Sequence, residues 1–355
     1  MKRIRTSVFG IACIAAAVLA IAPLSGTVFG ASALAADKVQ WNHSVWGGPR
    51  AVTRGIEHIA EQVDKASGGN FTIRVHYGDA ISPAKENLDG IKLGAFESAH
   101  FCASYHPGKN PAMNGLDLPF LPIDGFDAME SVFDAYYNHP VVVAEMGRWG
   151  AIPYMSNILP QYEFMGVGTP PKDLEGWKNK RVRALGGIGE AMRRLGSVPT
   201  TVPAPEVYTA LERGMVEAAS FPFTYSHVAF KLNEISSWYT GNMAPGTLGG
   251  CGMVVNKAAF ERLPPEWQKA LMDAKAGAYD ALANGSIEAD KANLPLFKKQ
   301  GLIEVRYTEE QLERFREIGG RPVWDAWVKE TEAKGLPGQE LLDFILAETR
   351  KAKKS

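Results

Sequence analysis

The stretch RVRALGGIGEAMRRLGSVPTTVPAPEVYTALERGMVEAASFP, residues 181–222, alternates strand and helix patterns and decides the fold class. Strand patterns occupy 181–185, 200–204 and 216–222, and helical patterns occupy 189–196 and 205–214. Strands joined by helical crossovers run parallel in one sheet, with helices packed on its faces. The stretch therefore predicts an α/β unit.

The chain before this stretch repeats the same rhythm. Strand patterns lie at 39–45, 71–78, 95–103 and 151–159, and helical patterns at 50–67, 83–94 and 125–140. A long helical region runs from Pro265 to about Leu294. We expect two α/β units joined by several crossings, and ligands of such folds bind outside the strand ends, often in a cleft between units.

The N-terminus has the pattern of a secretory signal peptide over residues 1–36. A cationic start, MKRIR, precedes an apolar run over 8–22, and Ala33 and Ala35 are spaced as an A-x-A cleavage site. The run is short for a membrane span, although a retained N-terminal anchor is the alternative. Cleavage near Ala35 or Ala36 removes three of 38 basic and none of 39 acidic residues, leaving a net charge near −4.

The negative net charge does not favour nucleic acid as a partner, and the sequence also argues against a membrane-embedded product. A nucleic-acid-binding protein needs a clearly basic face, which this composition does not favour. No other apolar stretch approaches the length of a bilayer span, so the exported product is expected not to be membrane-embedded. Two cysteines remain after cleavage, Cys102 and Cys251, and they either pair or stay as two buried apolar residues.

Motifs of the main catalytic classes are missing from the sequence. There is no G-x-S-x-G, no H-E-x-x-H, no P-loop and no G-x-G-x-x-G after a strand. The seven histidines lack metal-ligand spacing, and acidic pairs such as Glu309–Glu310 lie where a helix start favours negative charge. The sequence predicts a binding protein without metal or cofactor, and not an enzyme.

One arginine stands out among the cations of residues 178–183. Strand alternation places Arg181 and Arg183 on one face, and Arg183 lies deeper in the strand, before the Gly186–Gly187 break. A guanidinium in a partly desolvated cleft can bind a carboxylate through two parallel hydrogen bonds. The alternative is an ion pair with a carboxylate of the protein itself.

Aromatic residues stand near the ends of the expected strands and helices. A ring at such a position can line a ligand pocket, although most aromatic side chains fill the core. These residues are Trp46, Phe101, Tyr105, Tyr162, Phe221, Phe223, Tyr225 and Trp238.

The segments LEGWKNKRVRALGG and AMRRLGSVPTTVPAPEVYTALERGMVEAASFP together resemble the central signature of the DctP-like periplasmic solute receptors of TRAP transporters. The resemblance continues through ENLDGIKLGAFESA, LDLPFLP and MVVNKAAFERLPPEWQKAL, and so spans most of the chain. It implies a periplasmic binding protein-like fold, with two α/β domains around a ligand cleft and a long helix crossing both. It also implies delivery of a small organic acid to a sodium-driven membrane permease.

The family's motif assigns the carboxylate-binding arginine to Arg183. Where many members carry a second arginine, this chain has Gln161 or Tyr162, and Phe221 replaces a ligand-contacting asparagine. A monocarboxylate with an apolar or aromatic body, such as a 2-oxo or 2-hydroxy acid, fits these changes better than a dicarboxylate, which would leave polar groups unpaired. Further contacts are expected from His43, Trp46, Tyr105 and Tyr225.

The expected domains are 37–157 with about 248–285, and 158–247 with about 286–355. We expect an open form and a closed, ligand-bound form related by a hinge at the crossings. Four alternatives stay open: a dicarboxylate receptor, a periplasmic α/β enzyme acting on a small acid, a receptor serving a sensor kinase or storage, and a receptor in which a cation bridges Gln161 and the acid.

Overall fold

Eleven strands form two separate sheets in the part of the chain that the structure describes. The computed structural model describes residues 38–106 and 108–354, so the predicted signal peptide lies outside the described residues. In chain order the strands are β1 Val39–Ser44, β2 Phe71–His76, β3 Ser98–Cys102, β4 Ala151–Ser156, β5 Tyr162–Gly166, β6 Arg181–Arg183, β7 Val198–Thr200, β8 Ala218–Pro222, β9 Trp238–Thr240, β10 Cys251–Asn256 and β11 Ile303–Val305.

Helices connect and cover these strands. They are α1 Arg54–Ala66, α2 Asn87–Leu93, α3 Phe126–Tyr137, α4 Pro140–Gly147, α5 Gly186–Arg194, α6 Val207–Glu212, α7 Tyr225–Ala229, α8 Leu232–Ile235, α9 Lys257–Glu261, α10 Pro265–Asp273, α11 Lys275–Lys299, α12 Glu309–Gly319, α13 Arg321–Glu332 and α14 Gly338–Ala352. Among the helices of the described ranges, none has the length and apolar character needed to span a bilayer.

Each sheet contains one strand that runs against its neighbours. The first sheet has the order β2-β1-β3-β10-β4, and the second has β11-β9-β5-β8-β6-β7. Strand β10 is antiparallel to β3 and β4, and β5 is antiparallel to β8 and β9, while the other pairings are parallel. Strands β5 and β10, which enter from the other sheet, depart from the parallel arrangement that the strand–helix rhythm predicts.

We call each sheet with its packed helices a lobe, and helix α11 crosses both lobes. Its first half packs on α1 so closely that a Cβ at Gly277 would lie 2.4 Å from Nε2 of His58. Its second half binds the other lobe, where Asp290 accepts hydrogen bonds from the backbone N–H (2.9 Å) and the hydroxyl (2.7 Å) of Thr224. The structure thus has the expected two α/β domains and the long helix that joins them.

The last helices leave the second lobe and return to the first. Helix α12 packs on α5, α13 packs on α12 and α14, and α14 packs on α3 of the first lobe. The domain bounds of the sequence analysis stay a prediction, and this packing favours one amendment. We propose that residues 338–352, expected in the second domain, belong with the first.

Cys102 and Cys251 form a disulfide, which decides the question left open by the sequence. Cys102 ends β3 and Cys251 begins β10, and the two residues lie opposite each other in the antiparallel pair. The bond therefore joins the first lobe's β3 to the strand that returns from the second lobe.

Replacing both cysteines by alanine is expected to lower the free energy of unfolding by about 2–5 kcal/mol, because the bond closes a long loop in the unfolded chain. The two residues are 149 positions apart. Denaturant unfolding of wild type and double variant measures the difference. Dithiothreitol should lower the midpoint of the wild type only, and an equal effect on both proteins would contradict the prediction.

The two lobes touch at the start of α5. A Cβ at Gly187 would lie 2.4 Å from the carbonyl oxygen of Asp117 and 2.6 Å from Cδ of Pro119, both in the first lobe. Gly186 has φ +48°, and a Cβ there would lie 2.6 Å from Oγ of Ser104 and 3.1 Å from Cβ of Asp117. Only glycine allows the backbone of α5 to approach the first lobe to this distance.

The substitution Gly187→Ala is expected to push the lobes apart, because the added methyl group meets backbone rather than a movable side chain. Small-angle scattering should show a larger radius of gyration than for wild type. The matched control is Gly147→Ala, at an exposed position where a Cβ would meet nothing within 4 Å. Equal radii for the two variants would count against a direct lobe contact.

Candidate binding site between the lobes

A cavity lies between the two sheets, where residues of both lobes meet. The cavity volume is about 40 Å³. The lining residues are Trp46, Arg50, Val52, Cys102, Tyr105, Asn157, Leu159, Tyr162, Arg183, Leu185, Ala204, Phe221, Pro222, Tyr225, Ser226, Phe230 and Cys251.

Arg183 reaches this cavity from β6 and is 1% exposed. Its Nε donates to the carbonyl of Val202 (3.0 Å) and its Nη1 to the carbonyl of Ser220 (2.6 Å). Its Nη2 lies 3.3 Å from the hydroxyl oxygen of Tyr105, in the first lobe. The guanidinium carbon lies 4.3 Å from the centroid of the Phe221 ring, a cation–π contact.

No Asp or Glu of the described residues forms an ion pair with Arg183. The alternative in which a protein carboxylate neutralises it is therefore wrong within residues 38–106 and 108–354. Its neighbour Arg181 is exposed and lies 3.6 Å from Glu217, and Lys180 lies 3.9 Å from the same carboxylate. Arg181 is thus a surface charge beside a carboxylate, whereas two of the five N–H groups of Arg183 have no acceptor among the described residues.

The predicted aromatic residues Trp46, Tyr105, Tyr162, Phe221 and Tyr225 line the cavity. Tyr105 also joins the lobes, because its hydroxyl oxygen accepts from the backbone N–H of Ala204 at 3.0 Å. Burial raises the pKa of Tyr225 to about 12 and that of Tyr162 well above its ordinary value, although Arg183 lowers the latter. Both hydroxyls therefore stay protonated near neutral pH and can donate hydrogen bonds.

Two residues predicted for the site lie elsewhere. His43 is fully buried in the first sheet, where its ring nitrogens lie 2.9 Å from Ser98 Oγ and 2.8 Å from His100 Nδ1. Burial, then His100, lowers the pKa of His43 well below its ordinary range. Gln161 is half-buried and does not line the cavity. Its backbone carbonyl accepts a hydrogen bond from the backbone N–H of Phe223. Their positions give no support to ligand contacts from either.

Sequence reasoning missed Arg50, Asn157 and Phe230 among the lining residues. Arg50 follows the Gly47–Gly48–Pro49 turn at the carboxyl end of β1, where α/β folds bind ligands, and this signal could have identified it. Asn157 follows β4 directly and is 3% exposed, and its side chain forms no hydrogen bond with the described residues. Phe230 had no comparable signal.

The residues described contain no group of three or more His, Cys, Asp or Glu side chains able to hold a metal ion. The polar side chains around the cavity are two guanidinium groups, which only donate, and the hydroxyls of Tyr105, Tyr162, Tyr225 and Ser226 and the amide of Asn157, which can donate or accept. Donors in a water-poor site bind an anion, and the aromatic rings suit a flat or apolar body.

Comparison with known proteins gives a family match over most of the chain. Residues 44–331 match the model of the DctP family, described as bacterial extracellular solute-binding protein, family 7. The chain is 25% identical over 302 residues to the monocarboxylate 2-oxoacid-binding periplasmic protein of Nostoc sp. strain PCC 7120, covering 78% of each. It is 26% identical over 258 residues to the C4-dicarboxylate-binding periplasmic protein DctP of Rhodobacter capsulatus, covering 71% of this chain and 74% of that protein.

A solved structure shows the same fold. It is the TRAP solute binding protein of Rhodoferax ferrireducens T118, in complex with copurified benzoate. The TM-score is 0.77 at 18% identity, and the match covers 89% of this chain and 99% of that one.

A buried carboxyl group lies beside the cavity, at the contact between the lobes. Asp117 accepts hydrogen bonds from the hydroxyl of Ser104 and from the backbone N–H of Gly250, the latter at 2.8 Å. Burial raises the pKa of Asp117 to about 7, against the lowering effect of these two bonds. The folded protein therefore holds a proton here that the unfolded chain has already lost.

The stabilising contribution of protonated Asp117 should be complete below pH 3.8, its ordinary pKa, and disappear as pH rises to about 7. Each unit of difference between the folded and unfolded pKa corresponds to about 1.4 kcal/mol. The free energy of unfolding should therefore fall by at most about 4 kcal/mol over this pH range. In Asp117→Asn the amide oxygen can accept from the N–H of Gly250 and the amide N–H can donate to the hydroxyl oxygen of Ser104, without a charge, so this decrease should disappear. Denaturant unfolding from pH 4 to 8 measures it; parallel curves for the two proteins would show that Asp117 does not titrate as stated.

Proposed function

Because the chain belongs to the DctP family of bacterial extracellular solute-binding proteins, we propose that it is the periplasmic receptor of a TRAP-type transporter. It binds a small organic acid between its lobes and delivers the acid to the membrane permease. The signal-peptide pattern of residues 1–36 supports export to the periplasm. The permease subunits are its proposed protein partners.

Arg183 is the observation that carries the proposal. A buried cation without a counter-charge costs several kcal/mol, and carbonyl dipoles and a ring face offset only part of that cost. An acid that places its carboxylate against the two remaining N–H groups would supply the missing charge. The same contact would hold the lobes together, because Tyr105 of the first lobe touches Arg183 of the second.

The ligand is, on this proposal, a monocarboxylate with an apolar or aromatic body, such as a 2-oxo or 2-hydroxy acid. Trp46, Tyr162, Phe221 and Phe230 supply apolar surface around the guanidinium. The relative named for monocarboxylate 2-oxoacids and the structure with benzoate support this class. The Rhodobacter capsulatus relative supports a dicarboxylate as the second candidate.

The receptor is proposed to act by closure and not by catalysis. The segments 157–161 and 241–250 and helix α11 connect the lobes, and small backbone rotations there would open the cleft. Turnover of a bound acid, detected by mass spectrometry, would instead support the α/β enzyme of the sequence analysis.

Thermal melting against a panel of small mono- and dicarboxylates tests the proposal, because a ligand that binds only the folded state raises the melting temperature. The Arg183→Ala variant loses a charged, paired hydrogen-bond contact worth about 3 kcal/mol. Its affinity for the preferred acid should therefore be about a hundredfold lower than that of wild type. Arg181→Ala, two residues away on the same strand, is the matched control and should bind like wild type.

Arg183→Lys shows whether the paired geometry matters in addition to the charge, and melting without ligand shows whether each variant folds. A wild-type shift that survives in folded Arg183→Ala would remove Arg183 from the site. A wild-type protein that no acid shifts, and from which no acid can be extracted, would contradict the receptor function itself.

A further inference from the structure

Arg50 is a second guanidinium at the cavity, and it comes from the first lobe. We propose that it binds a second oxygen function of the acid, so that the natural ligand is a carboxylic acid with an additional hydroxyl or oxo group, or with a second carboxylate if it is the dicarboxylate named as the second candidate. The inference rests on the proposed function and specifies the ligand class of the same site.

The local backbone holds Arg50 in place. Its N–H donates to the hydroxyl of Thr53 (3.0 Å), and that hydroxyl donates back to the carbonyl of Arg50 (2.8 Å). Its Nη1 donates to the carbonyls of Trp46 (2.7 Å) and Gly48 (2.8 Å). A Cβ at Gly47 would lie 3.0 Å from this nitrogen, so the glycine turn leaves room for the guanidinium.

The rest of the guanidinium is available to a ligand. Its Nε and Nη2 groups form no hydrogen bond with the described residues, and none of their carboxylates forms an ion pair with it. Burial lowers the pKa of Arg50, and Asp79 is the only carboxylate among the groups that act on it electrostatically. Three N–H donors on a half-buried cation therefore lack an acceptor.

A pair of stacked rings separates the two arginines. The guanidinium carbon of Arg50 lies 5.4 Å from the ring centroid of Phe230. The rings of Phe230 and Phe221 are stacked, with centroids 5.3 Å apart and 17° between their planes. The guanidinium of Arg183 packs against the Phe221 ring. Each arginine thus packs on its own ring and is held by its own set of carbonyls.

Both arginines line the same cavity, which has a volume of about 40 Å³. An acid whose carboxylate binds Arg183 can also bind the free Arg50 donors if it carries a second acceptor. Hydrogen bonds to a charged group are stronger than those between neutral groups, so an acid with a second oxygen group is favoured.

Asn157 is the rival partner for the second group. It lines the same cavity, and its Oδ1 is buried without a hydrogen bond. An amide is neutral, however, so it would not favour a second carboxylate over a hydroxyl, whereas Arg50 would.

Two matched acid series test the inference by calorimetry: benzoate, 3-hydroxybenzoate and isophthalate; and butyrate, 2-oxobutyrate and succinate. Wild type should bind at least one of the two series. Within that series it should bind the substituted acids about ten to a hundred times more tightly than the unsubstituted one. Arg50→Gln should abolish this advantage and change the affinity for the unsubstituted acid much less. Arg50→Lys should restore part of it.

Arg54→Gln is the matched control, on an exposed arginine of the same segment, and should keep the advantage. Equal loss for all acids in Arg50→Gln would mark Arg50 as structural and overturn the inference. So would an advantage that persists in Arg50→Gln and disappears in Asn157→Ala, or a wild type without any advantage. Failure of wild type to bind any of these acids, or any acid of the wider panel, would overturn the proposed function and this inference together.

Discussion

The arrangement of the site depends on the buried guanidinium of Arg183, which forms no ion pair with any carboxylate of residues 38–106 and 108–354. The second lobe fixes it with two carbonyls, and the first lobe adds the hydroxyl of Tyr105. These groups orient the cation and reduce the cost of burying it, but they do not neutralise it. The free energy still missing is what an anionic ligand can contribute, and the ligand would contribute it at the contact between the lobes.

The proposed closure requires lobes that stay rigid while their connections move. The disulfide joins β10, where the chain returns to the first lobe, to the end of β3. At the other end of this crossing, Glu163 accepts hydrogen bonds from the hydroxyl of Thr240 and from the backbone N–H groups of Met243 (3.1 Å) and Ala244 (2.8 Å). The crossing segment is thus anchored where it leaves one sheet and where it enters the other.

The two arginines also distribute the binding chemistry between the lobes. Arg183 sits on a strand of the second sheet, and Arg50 sits on a glycine turn of the first, in contact with Phe230 of the opposite lobe. Because each guanidinium is held by carbonyls, both are oriented before a ligand arrives, which reduces the entropy cost of binding. Such a site combines electrostatic attraction for an acid with apolar surface for its body.

The sequence by itself determined the local structure and one centre of the site. Apolar periodicity predicted the strand–helix rhythm, and alternation around Val182, together with the family signature, singled out Arg183 before any contact was known. Position near strand ends also selected Trp46, Tyr105, Tyr162, Phe221 and Tyr225, which line the cavity. Periodicity, alternation and position near a strand end depend only on residues close together in the sequence, so a local pattern can predict them.

Only the tertiary structure decided which distant segments meet. It paired Cys102 with Cys251, packed α14 on α3, buried His43 beside His100 and brought Arg50 and Asn157 to the cavity. The strand pattern of residues 39–45 does not say which face of β1 turns toward the other lobe, and the turn at Gly47 does not say what Arg50 will contact. Those outcomes depend on the packing of residues that are distant in the sequence, from 57 positions for His43 and His100 to 149 for the two cysteines, which no local period encodes.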